Sequence, residues 1–424
     1  MTVAHLGPPP AQGGGPAGYL QQLERALAAP GDSTHQVLFP RAVVPHRADA
    51  QARPAPWPLT LLRRARRTWW RAPRQFRAPE ADLTRVDGVA SAQVAAVWAD
   101  LQARAAASIR QAKDAAADVW FAHDAPTAER ALAERPPGSQ VWLLMHTPMP
   151  LALYLVWCWG VCEALWETVW AYPDVQAWAA RERAVMQAVD RLIVPTPEAG
   201  DELARVDPEL RRSLEAATFL MTGASRDVGR AIANTTGTHR HRWGLPADVP
   251  VVLFLGNAQP YRGLDLLLSA LPHLEGAPPG LLAVAGCPVD ALPFHARLRA
   301  LGSVRDVPDL LAAVDAVVNV NRFSLFDLST IEACEAGRLL MLSRAGGNRS
   351  FERLGAGCRM LRSSDPRGIA EGLAHVFAMP PAERRELGRQ SRVCYESHLT
   401  PGHLRSRHLA LYDMAAADRF VGHA

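Results

Sequence analysis

The chain has 424 residues, of which 49% are hydrophobic and 21% are charged, and its formal net charge is +4. This length exceeds what one hydrophobic core holds and predicts two α/β domains. The mild charge gives no reason to expect a nucleic-acid partner. Lys113 is the only lysine, so the arginine excess reads as codon bias of a GC-rich genome. The six cysteines lack metal-like spacing, which indicates reduced thiols in a cytoplasmic protein.

No targeting or membrane-spanning segment is expected. The first residues contain no basic stretch followed by an apolar run, which a secretory signal requires. The apolar run 151–166 is shorter than the roughly 20 residues of a spanning helix. A basic and aromatic cluster from Arg63 to Arg77 leaves two alternatives open. It either contacts an anionic membrane or a phosphorylated acceptor, or it is a solvated surface where arginine stacks on tryptophan.

Short apolar runs in the first half predict a parallel sheet. Strands are expected at 1–6, 37–39, 118–123, 141–146 and 191–197, and helices over 18–27 and 91–117. Residues 40–80 are rich in proline and arginine and are expected to be irregular or an insertion. His123 and His146 end two of the strands, so the carboxyl ends of a parallel sheet would deliver both to one crevice.

A second alternation of strands and helices begins near Val251. Strands are expected at 251–255, 281–285, 316–320 and 339–343, and a final helical pattern covers about 404–417. The linker between the two domains is therefore expected at 239–249.

The segment from Asn321 to Gly337 reads as a site loop that runs into a helix. Ser329 or Thr330 is expected to cap the start of that helix. Glu332 is then expected in the first turn, where a carboxylate is favoured. An acid held there can bind hydroxyl groups.

Glycine turns supply the second signal. The turn from Gly256 to Gly263 follows a strand, so its backbone N–H groups can face a diphosphate. Arg262 lies in that turn, and a guanidinium binds phosphate bidentately. The glycine-rich start at 13–15 and the turn Gly346-Gly347-Asn348 point the same way, although a Gly-Gly-Asn turn alone is common.

These segments resemble the retaining, nucleotide-sugar-dependent glycosyltransferases of the GT-B fold, the "group 1" family. The resemblance implies an α/β fold of two Rossmann-like domains that face each other across a cleft. Residues 1–240 would form the acceptor-side domain and 241–400 the nucleotide-sugar domain, with 401–424 a helix that crosses back. It implies sugar transfer with retention to a glycan, lipid-linked or small-molecule acceptor, as in polysaccharide or glycoconjugate biosynthesis. No cofactor and no essential metal are expected beside the donor substrate.

The resemblance also assigns roles to single residues. Arg262 stands where the family has a lysine that pairs with the donor phosphates, and Asn257 where it usually has an arginine. His146 matches a histidine beside the reacting sugar. The catalytic assignment is therefore His146, Arg262 and Glu332, and the donor-binding set is Gly14, Gly15, Gly256, Asn257, Arg262, Ser324, Phe326, Asp327, Leu328, Glu332, Gly346 and Gly347.

Ser324 is a departure from the family pattern. The family has two glutamates eight positions apart, and Glu332 matches the second, which binds the ribose. Ser324 occupies the first position, so the sugar pocket loses a carboxylate that Asp327 could partly replace. A catalytically silent nucleotide-sugar-binding protein of the same fold is therefore an alternative.

A more distant alternative is an NAD(P)-dependent oxidoreductase. The segment from Thr222 to Ala233 resembles the nucleotide-binding turn of short-chain dehydrogenases. It lies in mid-chain, however, and no lysine follows it. We therefore expect a coincidental turn near the end of the first domain.

Overall fold

A computed structural model describes residues 1–7, 16–28, 34–40, 86–159, 166–228, 236–362 and 365–421. Gly14, Gly15 and the cluster Arg63 to Arg77 lie outside these residues, so their assignments stay predictions. No helix within the described ranges is both long enough and apolar enough to cross a membrane.

The first sheet is wholly parallel and has the order β2-β1-β3-β4-β5-β6. Its strands are β1 Thr2–Leu6, β2 Gln36–Leu38, β3 Val119–Ala122, β4 Gln140–Leu144, β5 Arg191–Val194 and β6 Thr218–Phe219. The inner strands are buried along nearly their whole length, as a parallel sheet covered on both faces requires. The sequence predicted all of them except the two-residue edge strand β6.

The second sheet is also parallel and has the order β12-β11-β10-β7-β8-β9. Its strands are β7 Val251–Leu255, β8 Leu281–Ala285, β9 Leu298–Gly302, β10 Ala316–Asn319, β11 Leu339–Leu342 and β12 Cys358–Met360. The four apolar strands were predicted. The two edge strands β9 and β12 were missed because they are only partly buried and their residues do not form apolar runs.

Helices flank both sheets. Those before the second sheet are α1 Pro16–Leu27, α2 Val86–Asp114, α3 Ala125–Glu134, α4 Leu151–Trp159, α5 Trp166–Trp170, α6 Pro173–Ala188, α7 Pro197–Val206, α8 Arg211–Glu215 and α9 Thr236–Arg242. The remainder are α10 Leu264–Ala270, α11 Val307–Ala313, α12 Leu328–Glu335, α13 Asn348–Arg353, α14 Pro366–Ala378, α15 Pro381–Cys394 and α16 Pro401–Val421. Short 3-10 turns cover Pro208–Leu210, Pro260–Arg262, Leu271–Leu274 and Val289–Ala291, and a π turn covers Tyr395–Leu399.

Proline explains several of the helix starts. In α3, α6 and α7 a proline stands in the first turn, where its missing N–H costs nothing. Asp124 and Thr196 cap α3 and α7 by accepting from Thr127 N and Ala199 N.

The last helix, α16, packs on the first domain. Leu404, Leu411 and Tyr412 are buried in one cluster with Tyr19 and Leu23 of α1. The helix therefore packs on one face of the first sheet, against residues of β1, β3, β4 and β5.

Helix α9 is bonded to the second domain. His239 Nδ1 lies 2.5 Å from Asp309 Oδ1, and Arg240 pairs with Asp315 at the same distance. The boundary at 240/241 stays a prediction, and these two contacts attach α9 to the second domain.

Candidate active site

The strand order of the second sheet reverses between β7 and β10, and ligands of open α/β sheets bind at such a point. The turn 256–263 follows β7 and the loop 320–327 follows β10. Gly263, with φ +71°, lets these two segments touch, since a Cβ there would lie 2.3 Å from the Val320 carbonyl oxygen. The sequence predicted both segments as site loops, and the sheet brings them together.

Arg262 points into this junction. Its Nη1 lies 3.1 Å from Asp327 Oδ2, and its guanidinium covers the Tyr261 ring at 5.3 Å. Burial is the largest influence and disfavours the charge, but Asp327, Tyr261 and Tyr154 together outweigh it and raise the pKa of Arg262. The Nε atom is buried and has no hydrogen-bond partner among the described residues. Arg262 is therefore a fixed cation whose Nε donor is unused within the described residues.

Asp327 is held by more than Arg262. Its carboxylate also accepts hydrogen bonds from the side-chain amides of Asn319, at 2.9 Å, and Asn321. All three contacts fall on one oxygen, Oδ2, so Oδ1 of Asp327 is left for another donor. The idea that Asp327 partly replaces the glutamate missing at position 324 therefore stays a prediction.

The helix that carries Glu332 begins earlier than the sequence suggested. Leu328 is the first residue of α12 and Asp327 is its N-cap, so the prediction of a Ser329 or Thr330 cap was wrong. Glu332 is the fifth residue and lies beyond the first turn. The reason is that Asp327 takes the cap position while its carboxylate is used by Arg262 and the two asparagines.

Glu332 is buried and paired with Arg226. It is 4% exposed, and its Oε1 lies 2.7 Å from Nε of Arg226. Burial raises the pKa of Glu332, and Arg226 partly reverses this shift. The ion pair leaves the second carboxylate oxygen of Glu332 for other donors.

Arg226 comes from the segment that resembled a dehydrogenase turn. Ser225 Oγ and Arg226 N both donate to the carboxylate of Glu335, at 2.7 and 2.8 Å. A Cβ at Gly223 would lie 2.3 Å from the Thr400 carbonyl oxygen. Close packing against the chain before α16 therefore explains this glycine without a dinucleotide.

The turn at 346–347 is occupied by protein groups. Gly346 N donates to Glu202 Oε2 of α7 at 2.9 Å, and Gly347 N donates to the Ser324 carbonyl oxygen at 2.9 Å. Ser324 is 1% exposed, and its hydroxyl donates to Asn348 Oδ1 at 3.0 Å. The assignment of these three residues to the donor stays a prediction, and a ligand would have to displace the protein partners.

The other assigned residues differ in orientation. Phe326 is buried in the second domain and stacks on Phe351 at 4.5 Å, so only its backbone can reach a ligand. Leu328 packs on the same core. Gly256 N donates to the Ala285 carbonyl oxygen, whereas Asn257 is exposed beside it.

The loop after β10 also joins the domains. Phe323 is 0% exposed and belongs to the core cluster of the first domain. It meets Trp157 and Trp166 edge to face at 5.6 and 5.3 Å, and Arg205 lies 4.9 Å from its ring. An aromatic anchor thus fixes the site loop against the first sheet.

His146 lies at the carboxyl end of β4 on the first-domain side. Its Nε2 is 2.9 Å from Nδ1 of His123, which confirms that the two strand ends deliver their histidines to one place. Burial lowers the pKa of His146 to about 3, so the ring is neutral at physiological pH.

Sequence reasoning missed Glu202 and Arg226 as site residues. The sequence did contain a signal for Arg226, because this residue lies in the glycine-containing segment 222–233. The sequence pattern there was interpreted as a coincidental turn. Glu202 carried no such signal, since its partner Gly346 is 144 residues away in the chain.

Residues 249–378 match the model of a family described as glycosyl transferases group 1. The D-inositol 3-phosphate glycosyltransferase of Streptomyces bingchenggensis is 30% identical over 237 residues, which cover 50% of each chain. The enzyme of the same name from Salinispora arenicola is 29% identical over 203 residues, 41% of this chain and 44% of the relative. The chain thus spans about half the length of the curated relatives it matches.

Solved structures share the arrangement of both domains. Sucrose-phosphate synthase from Thermosynechococcus elongatus aligns with a TM-score of 0.62 at 18% identity, over 99% of this chain and 96% of that one. The Anabaena protein HepE in complex with UDP-glucose aligns with a TM-score of 0.54 at 15% identity, over 73% of this chain and 82% of that one. At these identities the likeness establishes the fold.

Proposed function

We propose that this chain, which has the GT-B fold, is a group 1 glycosyltransferase that transfers a sugar from a nucleoside diphosphate sugar to an acceptor hydroxyl. The donor is held by the second domain, at the junction of the turn 256–263 and the loop 320–327. The first domain faces the sugar through His146.

Arg262 is the observation that carries the proposal. It is a buried cation at the switch point of the second sheet, and its Nε donor has no partner in the described part of the chain. A diphosphate fits such a group, because an arginine can bind phosphate while keeping Asp327 at its other nitrogen.

The chemistry places charge on the leaving diphosphate. The bond between the anomeric carbon and the diphosphate breaks while the bond to the acceptor oxygen forms on the same face, so configuration is retained. Arg262 and nearby backbone N–H groups stabilise the departing charge. Glu332 binds the ribose with the carboxylate oxygen that Arg226 does not use.

The acceptor is a glycan, a lipid-linked sugar or a small molecule. The small-molecule class receives support from the curated relatives, whose name includes D-inositol 3-phosphate. The cluster from Arg63 to Arg77 is the segment proposed for peripheral contact with a membrane. The protein is proposed to act in the cytoplasm, in polysaccharide or glycoconjugate biosynthesis.

A catalytically silent nucleotide-sugar-binding protein is the second candidate. Ser324 favours it, because its hydroxyl is buried and bonded to Asn348 where the family has a carboxylate beside the sugar. The two candidates share the donor site and differ only in turnover.

Release of nucleoside diphosphate from a panel of UDP-, GDP- and ADP-sugars tests the proposal. We expect release with at least one donor, stimulated by acceptor alcohols, and a loss on the order of 10²–10³ in rate for Arg262→Ala. Arg359→Ala, which removes an exposed partner of Glu383, is the matched control and should retain the rate. Tight binding of a donor without release would favour the silent protein.

A further inference from the structure

A chain of hydrogen-bonded rings runs through the first domain from α16 to His146. Tyr412 Oη lies 3.1 Å from Nε2 of His5, whose Nδ1 lies 2.9 Å from Nε2 of His123. Nδ1 of His123 in turn lies 2.9 Å from Nε2 of His146. The first three rings are almost fully buried. The adjacency of β1, β3 and β4 sets this spacing, because each strand contributes one histidine.

The two inner histidines, His5 and His123, must be neutral to form this chain. Each ring between two neighbours must donate through one nitrogen and accept through the other, whereas a charged imidazole has two donors. The charge states agree with this requirement, since burial lowers the pKa of His5, His123 and His146. The chain therefore has one of two directions, with every hydrogen on Nδ1 or every hydrogen on Nε2.

Tyr412 decides the direction. If its hydroxyl donates to His5, the hydrogens of all three histidines sit on Nδ1, and every donor of the chain has a protein acceptor except Nδ1–H of the half-buried His146. In the opposite direction His5 donates to Tyr412, whose hydroxyl hydrogen then needs an acceptor. The hydroxyl of Tyr412 bonds only His5 within the described residues. A buried donor without an acceptor is costly enough to favour the first direction roughly 5- to 100-fold.

A second tyrosine holds the ring of His146. Nδ1 of His408 lies 2.8 Å from the Leu404 carbonyl oxygen, which can only accept, so Nε2 of His408 accepts from the Tyr19 hydroxyl at 2.7 Å. The ring of Tyr19 meets His146 edge to face at 4.9 Å. Helix α16 thus anchors both the hydrogen-bond chain and the aromatic ring that packs on His146.

We propose that Tyr412 fixes His146 as a neutral donor whose Nδ1–H faces the sugar, which makes Tyr412, His5 and His123 positioning residues. The proposal rests on the proposed function for the identity of the ligand. His146 is half-buried, and among the described residues only His123 bonds its ring, which leaves Nδ1 for a ligand. Nδ1–H of His146 then donates to a sugar hydroxyl, and the ring takes no proton from the acceptor.

The tautomer can be measured without any substrate. Two-bond 1H–15N correlation spectra of the ¹⁵N-histidine-labelled full chain report which ring nitrogen carries the hydrogen, and His146→Gln identifies the signals of His146. We expect Nδ1–H on His146 at pH 7. A hydrogen on Nε2, or a charged ring, overturns the proposal.

Tyr412→Phe tests whether Tyr412 of α16 determines the tautomer of His146. Removing the hydroxyl removes most of the difference between the two directions, so a second set of signals from His146 with Nε2–H should appear. Tyr19→Phe removes a hydroxyl from the same cluster outside the chain, and His146 should keep its Nδ1–H. An unchanged single tautomer in Tyr412→Phe overturns the role of Tyr412.

Activity supplies an independent readout. In Tyr412→Phe the kcat should fall in proportion to the remaining Nδ1–H fraction, while the donor KM is unchanged. If Tyr412→Phe keeps the wild-type kcat while His146 shows both tautomers, the proposal is contradicted. If the tautomers are as expected but the protein releases no nucleotide from any donor, only the proposed function is contradicted.

Discussion

Glu202 of the first domain accepts a 2.9 Å hydrogen bond from the backbone N–H of Gly346 in the second. The contact is possible because residue 346 is glycine, with φ +34°. A Cβ there would lie 2.1 Å from the Ser324 carbonyl oxygen and 2.9 Å from Cβ of Glu202. Thr196 and Glu198 add bonds to Ser350 of α13, at 2.8 and 2.7 Å, so α7 and α13 hold the domains together beside the proposed site.

Gly346→Ala should therefore destabilise the protein. The methyl group meets two neighbours and the backbone conformation disfavours a side chain, which together should cost more than about 2 kcal/mol. Gly355→Ala is the matched control, since it has φ +77° but nothing within 4 Å of the new Cβ. Thermal unfolding of both variants isolates the contact, and equal melting temperatures would contradict the described packing.

Phe323→Ala should weaken the coupling between the domains. The ring is fully buried between tryptophans of the first domain, and its loss should cost about 3–5 kcal/mol. Differential scanning calorimetry should show a lower and broader transition, or two transitions. Phe294→Ala, which removes a fully exposed ring, should change the melting temperature little. Identical scans for the two variants would rule out the anchor.

Stability should fall as the pH drops below about 6.5, the ordinary pKa of histidine. Burial lowers the pKa of His5, His123, His146 and His408 in the folded chain, so the unfolded chain takes up protons first. Glu182 acts in the opposite sense, because burial raises its pKa to about 8 and the folded chain holds its proton. These four histidines act against one glutamate. The free energy of unfolding should therefore change by about 4 kcal/mol per pH unit at most.

Urea unfolding at pH 7.5, 6.5 and 5.5 measures this slope. His146→Gln should flatten it, because one of the neutral histidines is gone. A free energy of unfolding that stays constant over this range would show that the histidine cluster is not held neutral.

Ser324→Glu tests the departure from the family pattern. A glutamate at this buried site has no matched cation, so stability and donor binding should both decrease. Ser324→Ala removes only the bond to Asn348 and should cost about 1 kcal/mol. A donor panel assayed with both proteins measures turnover, and higher activity in Ser324→Glu would indicate a degenerate sugar pocket instead of a specialised one.

The sequence predicted the parts of the molecule that local patterns determine. The apolar strands, the two site loops and the meeting of His123 with His146 follow from runs of buried residues and from the geometry of parallel sheets. The predicted start of α12 was wrong because Asp327, Ser329 and Thr330 are all good N-cap residues. Only tertiary contacts determine which of the three caps the helix. The pairs Arg226–Glu332 and Glu202–Gly346 span 106 and 144 residues, so no local pattern reveals them.

Calorimetric titration of UDP and GDP into the wild type, Arg262→Ala and Arg359→Ala tests the central claim most directly. We expect at least one nucleotide to bind the wild type and Arg359→Ala alike, with binding to Arg262→Ala weakened at least tenfold, since charged hydrogen bonds contribute about 1.5–3 kcal/mol. Thermal unfolding of the three proteins should show that each is folded. If neither nucleotide binds at millimolar concentration, or if Arg262→Ala binds as well as the wild type, the donor site is not at Arg262.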